Sequence, residues 1–442
     1  MKKDKHPQVV VLGAGLAGIE ATFQLIRRGI PVRLVEMRPK IQTGAHLTGE
    51  CAELVCSNSL GSNLPDRAPG LLKEELRTLS SYILDVAYRY RVPAGQALAV
   101  DRHAFSREIS RYIKGHSLVD YVNEEATSIP EEGTAILATG PLTSPTLLSF
   151  LSKTFGKKQL FFFDAIAPIV SADSIDMSCA FKSDRYDENG DGDYVNCPLT
   201  QEEYERFVQE LVKAEQIPIS GMEKDSRKTF FCACQPIEEI ARSGKDSPRF
   251  GPMKPVGLTD PRTGKRPYAV LQLRQDNLLG SFYNLVGCQT NLTVQEQARV
   301  FRIIPALLSA NFLRFGQMHR NSYLNSPKIL LPTMQTKTNP SWFIGGQITG
   351  VEGYTESVGT GLLAGLNAAR IILQKNPVVP PPETILGALV KYITFPGHKS
   401  FMPMSGNFGL FQSEFPELGA DSRREKIISN ARKVFREFAD QL

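Results

Sequence analysis

Residues 9–36 read VVVLGAGLAGIEATFQLIRRGIPVRLVE. This stretch predicts an apolar strand, a G-x-G-x-x-G turn, an amphipathic helix and a second apolar strand that ends in an acid. Gly13 permits the tight turn, Gly15 lets the backbone approach a pyrophosphate, and Gly18 lets the helix pack closely on the strand. Glu36 comes where a carboxylate can accept hydrogen bonds from a ribose. The stretch therefore predicts an adenine dinucleotide, FAD or NAD, at the helix N-terminus.

A second glycine-rich turn favours FAD over NAD. Residues 342–350 read WFIGGQITG, a strand that runs into a turn, and a helix is predicted over 355–373. Flavoproteins usually hold the ribityl chain and the flavin edge at such a turn, which a nicotinamide site does not require. Residues 135–141 read AILATGP, a strand that ends in Thr-Gly and is typical of the same flavoproteins. The cofactor-binding residues predicted from these patterns are Gly13, Ala14, Gly15, Leu16, Ala17, Gly18, Glu36, Gly140, Gly346, Gln347 and Gly350.

The composition is that of a soluble globular protein, and the length of 442 residues suggests two domains. No run approaches the roughly 18 consecutive apolar residues of a membrane span. The N-terminus is charged and carries no apolar signal segment, so we expect a cytoplasmic protein without a membrane partner. The formal charge of +5 permits an anionic partner without requiring one.

The predicted secondary-structure pattern changes after about residue 160, where short strand-like segments alternate with turns. We predict an α/β fold: a Rossmann-like FAD-binding domain of the glutathione-reductase type, formed by residues 1–160 and 290–442. A smaller α+β substrate domain is inserted at 161–289. Helices are predicted over 71–91, 101–115 and 200–214, the last with a capping box. The basic segment 250–267 is predicted to be extended.

Cysteine is the only strong nucleophile whose positions in the sequence suggest a catalytic role. Seven cysteines with irregular spacing and no C-x-x-C favour free thiols over a disulfide framework. Cys51 and Cys56 follow the first dinucleotide unit, and Cys232 and Cys234 lie in a second cluster. The remaining three are interpreted as small buried hydrophobes, namely Cys179, Cys197 and Cys288. The six histidines lack metal-ligand spacing, so no metal is predicted.

Two polar motifs have structural interpretations beside the functional ones. Asp101-Arg102-His103 begins a predicted helix, which favours capping with a local ion pair over catalysis. Met318-His319-Arg320-Asn321 fits ligand contact and structural hydrogen bonding equally well.

Motifs along nearly the whole chain resemble the folate- and FAD-dependent tRNA (uracil-5-)-methyltransferase family, TrmFO. The matching stretches are Gly13 to Gly18, Glu36-Met37-Arg38-Pro39, Glu53 to Leu60, Leu98 to His103, Phe250 to Pro255, Gly264 to Val270, Met318 to Asn321, Gly350 to Tyr354 and Asn407 to Leu410.

The resemblance implies a specific reaction. FAD would carry a methylene group from 5,10-methylenetetrahydrofolate to C5 of the uridine at position 54 in the tRNA T loop, with NADH or NADPH as reductant. Uracil C5 is a poor nucleophile until a thiolate adds at C6, and a second group must remove the C5 proton. The family's two functional cysteines correspond to Cys56 and Cys234, whose individual roles the motifs leave open. Arg38 and Tyr354 would contact the cofactor, Tyr354 as the aromatic beside flavin and folate.

The chain departs from the family pattern at Cys51, at Cys232-Ala233-Cys234 and at Leu47, which follows His46 where a second histidine is common. A related branch acts on ribosomal RNA, so the same chemistry on a ribosomal uridine is an alternative. Another is an NAD(P)H-dependent flavin oxidoreductase of a small molecule. The basic groups Lys254 to Arg266 and Arg423, Arg424 and Lys426 are candidates for RNA binding.

Overall fold

The computed structural model describes residues 9–156, 160–186, 192–218, 235–411 and 418–442. In these ranges the strands are β1 (Val9–Leu12), β2 (Val32–Glu36), β3 (Ser59–Ser62), β4 (Arg91–Val92), β5 (Ala97–Val100), β6 (Val119–Asn123), β7 (Ala135–Leu137), β8 (Leu160–Ala165), β9 (Ile169–Ser171), β10 (Phe181–Lys182), β11 (Tyr194–Leu199), β12 (Ala269–Gln275), β13 (Phe282–Leu285), β14 (Phe312–Arg314), β15 (Met318–Tyr323) and β16 (Trp342–Ile344). The helices are α1 (Leu16–Ile26), α2 (Ala68–Thr78), α3 (Tyr82–Arg89), α4 (Arg102–Lys114), α5 (Pro145–Phe155), α6 (Gln201–Lys213), α7 (Ile237–Ser243), α8 (Ser247–Phe250), α9 (Val294–Phe301), α10 (Ser326–Ile329), α11 (Tyr354–Ile372), α12 (Ile385–Thr394) and α13 (Ala420–Ala439).

The first lobe is built on a five-stranded parallel sheet in the order β16-β7-β1-β2-β6. The central strands β1 and β2 are short and rich in β-branched residues, as expected of parallel strands that are covered on both faces. Because all five strands run the same way, their carboxyl ends meet at one edge of the sheet. The glycine-rich turns that follow β1 and β16 and the acid that ends β2 therefore lie at the same edge.

The second lobe is built on a six-stranded antiparallel sheet in the order β10-β11-β12-β13-β9-β14, with α6, α7 and α9 packed beside it. Its separate hydrophobic core extends from Val170 to Ala310. The predicted fold class, a Rossmann-like α/β unit with a smaller α+β unit, is confirmed. The boundaries 1–160, 161–289 and 290–442 stay a prediction.

The single helix predicted over residues 71–91 is wrong, because the chain forms α2 and α3 there instead. Ser80 between them has a φ of +58°, which ends the first helix. Ser81 caps α3, and the buried Glu20 of α1 accepts the backbone N–H of Ile83 at 3.0 Å. Side-chain periodicity continues across the break, but a carboxylate from another helix fixes the new start.

The predicted helix starts at Asp101 and Thr200 are confirmed. The Asp101 carboxylate accepts two backbone N–H groups of α4, and Thr200 forms a capping box with Glu203 at the start of α6. The extended conformation predicted for residues 250–267 is wrong. This segment consists of turns, and an isolated bridge joins Asp260 to Lys265. Over the described ranges, no helix combines the length and the apolar character needed to cross a membrane.

Helices α1 and α11 touch backbone to backbone. A Cβ added at Gly361 would lie 2.4 Å from the carbonyl oxygen of Ala17, and one at Gly365 would lie 2.6 Å from that of Ala21. A Cβ at Gly346 would also lie 2.8 Å from the Ala17 side chain. This contact therefore holds the second glycine-rich turn against the first one.

Replacement of Gly361 by alanine tests this contact. We expect Gly361→Ala to lower the free energy of unfolding by about 1–3 kcal/mol, because the new methyl group must push two helix backbones apart. Chemical denaturation measures the effect. Gly419→Ala is the matched control, since its added Cβ meets no atom within 4 Å. Equal loss of stability in the two variants would contradict the packing argument.

Candidate active site

The turn after β1 leaves an open space at the start of α1. Gly13 has a φ of +99°, and a Cβ there would lie 2.6 Å from the carbonyl oxygen of Ala138. A Cβ on Gly18 would lie 1.8 Å from the carbonyl oxygen of Gly13. At Gly15, by contrast, a Cβ would meet no atom within 4 Å, and this residue starts α1 without a side-chain cap. Gly13 and Gly18 thus serve packing, whereas Gly15 borders space at an uncapped helix end that suits a phosphate.

Glu36 is a buried carboxylate beside this turn. It accepts the backbone N–H of Ala14 at 2.8 Å and both the backbone N–H and the Nε of Arg38, at 3.0 and 2.9 Å. Burial raises the pKa of Glu36, but Arg38 more than offsets this effect, so the pKa lies below its usual value. A cavity of about 40 Å³ is lined by Glu36 together with polar and apolar residues, among them Thr139 and Leu147. A buried carboxylate at this position suits the hydroxyl groups of a ribose.

Arg38 links the sheet edge to the loop that follows it. Its guanidinium is 2% exposed and contacts Glu53 at 3.2 Å in addition to Glu36. Glu53 in turn accepts the backbone N–H groups of Leu47 and Thr48 at 2.7 and 3.1 Å. Arg38 therefore holds two carboxylates that shape the site, and its direct contact with a cofactor stays a prediction.

Cys56 lies next to Tyr354, the first residue of α11. The backbone N–H of Cys56 donates to the Tyr354 hydroxyl at 2.8 Å, and the thiol donates to the carbonyl oxygen of Ala165 at 3.8 Å. Burial raises the pKa of Tyr354 well above its usual value, so the phenol stays neutral. The geometry brings this thiol to the end of the dinucleotide fold where the second glycine-rich turn leads into α11.

Polar contacts join the second lobe to residues 53–58, the segment before β3 that is called the Cys56 loop below. Arg274 of β12 donates from Nε to the side-chain oxygen of the fully buried Asn58 at 3.0 Å. Arg102 donates to Asp276 at 2.7 Å and to the carbonyl oxygen of Leu54 at 3.2 Å. The ion pair predicted to be local at Arg102 is thus wrong, because its partner lies 174 residues away.

These contacts were missed because sequence spacing carries no signal for a partner on another lobe. Asn58 lies inside the Glu53 to Leu60 motif, which was the only indication that it mattered. Burial lowers the pKa of Arg102, but Asp276 raises it by more. The net pKa lies above its usual value, so the guanidinium stays charged. A buried ion pair of this kind constrains the orientation of the loop.

Two histidines lie near Arg314 with uncharged rings. Burial and the nearby Arg38 lower the pKa of His46 to about 3, and burial and Arg314 lower that of His319 to about 4. The Nε2 atom of His319 is buried and has no hydrogen-bond partner among the described residues. In the same strand, Asn321 donates to Asp164 at 3.5 Å. Both interpretations of the Met318 to Asn321 motif are therefore consistent with the structure: His319 is available for a ligand contact, and Asn321 forms a structural hydrogen bond.

The second glycine-rich turn is held from both sides. Gly346 has a φ of +86° and donates its N–H to Thr360 at 2.9 Å. Gln347 donates to Glu352 at 2.6 Å, and burial raises the pKa of Glu352 well above its usual value. Gly350 also has a φ of +86°, and a Cβ there would lie 2.5 Å from the Phe401 ring.

The remaining predicted site residues differ in burial, and not all of them lie in the described ranges. Gly140 has a φ of +68° and borders open space, like Gly15. Cys234, the second predicted catalytic residue, lies outside the described residues together with Cys232. Cys51, Cys197 and Cys288 are fully buried, which confirms the interpretation of the last two as small hydrophobes, whereas Cys179 is half-buried.

Comparison with known proteins identifies the family. A family model described as "Glucose inhibited division protein A" matches residues 8–376. A protein of Brevibacillus brevis named methylenetetrahydrofolate–tRNA-(uracil-5-)-methyltransferase TrmFO is 50% identical over 438 residues, 99% of each chain. The TrmFO protein of Listeria innocua is 51% identical over 435 residues, covering 98% of this chain and 99% of its own.

The chain belongs to the TrmFO family. The resemblance that the sequence motifs indicated is thereby confirmed. Among solved structures, Aquifex aeolicus GidA in its form II crystal matches with a TM-score of 0.70. It is 17% identical, and the match covers 98% of this chain and 73% of that one, so it supports the fold alone.

The two neutral histidines predict a pH dependence of stability. Their pKa values in the folded protein lie below the value of about 6.5 expected after unfolding, so the unfolded state binds more protons below that pH. Stability contributed by the neutral rings is therefore present above about pH 6.5 and is lost as the pH falls. We expect the stability advantage of the wild type over His319→Gln to shrink between pH 7 and 4, by at most about 1.4 kcal/mol per pH unit. Chemical denaturation at each pH measures it, and a constant difference would contradict the prediction.

Proposed function

We propose that this protein is a methylenetetrahydrofolate- and FAD-dependent methyltransferase that forms 5-methyluridine at position 54 in the tRNA T loop. The observation that carries the proposal is the attachment of the Cys56 loop to Tyr354, beside the second glycine-rich turn. Relatives that match over 99% of the chain are named for this activity. Part of the proposal is that the enzyme acts in the cytoplasm.

The residues at the sheet edge fit FAD. Glu36 would accept from the adenosine ribose, and the uncapped start of α1 beyond Gly15 would receive the pyrophosphate. Gly140 also borders open space, and Gly346, Gln347 and Gly350 would lie along the flavin end. When bound, the flavin supplies transfer of the one-carbon unit from 5,10-methylenetetrahydrofolate, with NADH or NADPH as the source of electrons.

The thiols supply the chemistry on the uracil. Addition of a thiolate sulfur to C6 moves the C5–C6 electron pair onto the carbonyl, and the resulting enolate makes C5 nucleophilic. After C5 has gained its new carbon–carbon bond, the other thiolate removes the C5 proton, and the sulfur leaves C6 to restore the double bond. The two electrons that reduce the transferred methylene to a methyl group would come from NADH or NADPH. We propose Cys56 and Cys234 for these two roles, without assigning which residue performs which.

Tyr354 and Arg102 position Cys56 in this scheme. The Tyr354 hydroxyl orients the backbone of Cys56, while Arg102 holds the carbonyl oxygen of Leu54 two residues earlier. The Arg102 guanidinium also provides a fixed positive charge near the site.

Cysteine replacement tests the proposal directly. Purified enzyme with unmodified tRNA, methylenetetrahydrofolate and NADPH should form 5-methyluridine, detected by mass spectrometry of nucleosides. Cys56→Ala and Cys234→Ala should each abolish the product and keep the yellow flavin. Cys179→Ala, a half-buried thiol of the second lobe, is the matched control and should retain activity.

Other outcomes would select the alternatives. Product on ribosomal RNA but not on tRNA would move the same chemistry to the ribosomal target. Steady NADPH oxidation without RNA or folate, and without any methylated product, would favour a small-molecule flavin oxidoreductase. Loss of flavin from both cysteine variants would assign these residues to structure.

Removal of the Tyr354 hydroxyl tests its positioning role. We expect Tyr354→Phe to bind flavin normally and to lower kcat for methylation by about ten- to a hundredfold, because Cys56 loses the acceptor that orients it. Tyr392→Phe is the matched control, since that hydroxyl bonds only the carbonyl oxygen of Met402 among the described residues. An unchanged kcat in Tyr354→Phe would overturn the assignment.

A further inference from the structure

A cleft of about 700 Å³ lies between the small sheet β3-β5-β4 of the first lobe and the second lobe. Gln96 and Ala97 line one wall, and Arg185, Lys254 and Gln272 line the other. No role assigned above uses this cleft.

The sheet beside the cleft also contacts the Cys56 loop. Gln272 lies on β12 and accepts from Arg185 at 2.9 Å. Arg274 lies two residues further along the same strand, and therefore on the same face of the sheet. It donates to the buried Asn58 at 3.0 Å, and Asn58 follows Cys56 by two residues. The cleft therefore lies two strand positions from the β12 residue that holds the loop of the catalytic thiol.

The acids of the cleft have backbone partners. Asp193 accepts the N–H of Gly95 at 2.6 Å, which joins the two walls, and Asp184 accepts the N–H of Asp193 at 3.0 Å. Tyr194 adds a second link by donating to the carbonyl oxygen of Ala94 at 3.2 Å. These bonds fix the separation of the walls and use one oxygen of each carboxylate.

Lys254 is the exposed cation of the cleft, whereas Arg185 is held by Gln272 and by the carbonyl oxygen of Val256. No described carboxylate lies within ion-pair distance of Lys254. Elsewhere in the basic run, Arg262 is bound to Asp260 at 2.7 Å, so its charge is already neutralised. Lys254 and Arg262 thus differ in their ion pairing, although the sequence analysis treated the run from Lys254 to Arg266 as one RNA-binding group.

We propose that this cleft holds the single-stranded RNA that flanks the target uridine, with Lys254 on a backbone phosphate. The inference rests on the proposed function and gives the substrate a path to Cys56. Grooves for single strands combine a cation that follows the backbone with an aromatic ring on which a base can stack, and Tyr194 provides the ring. An unpaired segment is required, because a base that stays stacked in a duplex cannot reach a thiol of the protein.

Two substitutions that change one charge each test the cleft. Lys254→Gln removes the phosphate partner, and Gln96→Glu adds a carboxylate of nearly unchanged shape to the opposite wall. Each should weaken binding of an unmodified tRNA transcript by about three- to tenfold and raise KM for tRNA, while kcat at saturating tRNA is retained. The slope of log K against log salt should become shallower by about 0.7 for Lys254→Gln. Lys375→Gln, an exposed lysine after α11, is the matched control.

The outcomes separate this inference from the proposed function. If the wild type methylates tRNA but both cleft variants bind it as Lys375→Gln does, the cleft assignment is overturned and the enzyme assignment stands. If the wild type forms no 5-methyluridine yet the cleft variants still lose tRNA affinity, the proposed function fails and the binding cleft stands. An equal loss in all three variants indicates diffuse attraction to charge and rejects a specific path. Flavin absorbance verifies that each variant is folded.

Discussion

The backbones of α1 and α11 touch through glycines, and this contact determines where the two ends of the dinucleotide site lie. Gly361 and Gly365 leave no room for a methyl group against Ala17 and Ala21. Since α1 begins at the first glycine-rich turn and α11 follows the second, the helix contact fixes the distance between the turns. Tyr354, the first residue of α11, is positioned by the same contact. The hydrogen bond from the Cys56 N–H to the Tyr354 hydroxyl in turn positions Cys56.

The Cys56 loop is held by polar bonds rather than by a regular element. Its restraints come from α11 through Tyr354, from α4 through Arg102 and from β12 through Arg274. Two of these bring in a buried charge, which costs more to desolvate than an apolar contact and therefore contributes orientation more than stability. Such a loop can present a thiol to a substrate that enters between the lobes, because both lobes define its position.

Electrostatics at the sheet edge follows from the same burial. Arg38 lies between Glu36 and Glu53, so the pKa of the buried Glu36 lies below its usual value although burial alone would raise it. The imidazoles of His46 and His319 respond in the opposite way and stay neutral, because desolvation and nearby guanidinium groups both disfavour a further positive charge. Glu36 therefore keeps its negative charge beside Ala14, whereas the two rings carry none.

The sequence by itself determined the dinucleotide unit, the second glycine-rich turn and the caps at Asp101 and Thr200, because these signals lie within a few neighbouring residues. It failed where a distant group overrides a local pattern. Glu20 starts a new helix inside an apparently continuous one, and Asp276 takes the ion pair that Arg102 was expected to make nearby. It also treated Lys254 and Arg262 alike, although Asp260 neutralises only the second. Only the tertiary structure decided these points, because hydrogen bonds and ion pairs form between groups that are close in space, and spacing along the chain does not encode which distant groups those are.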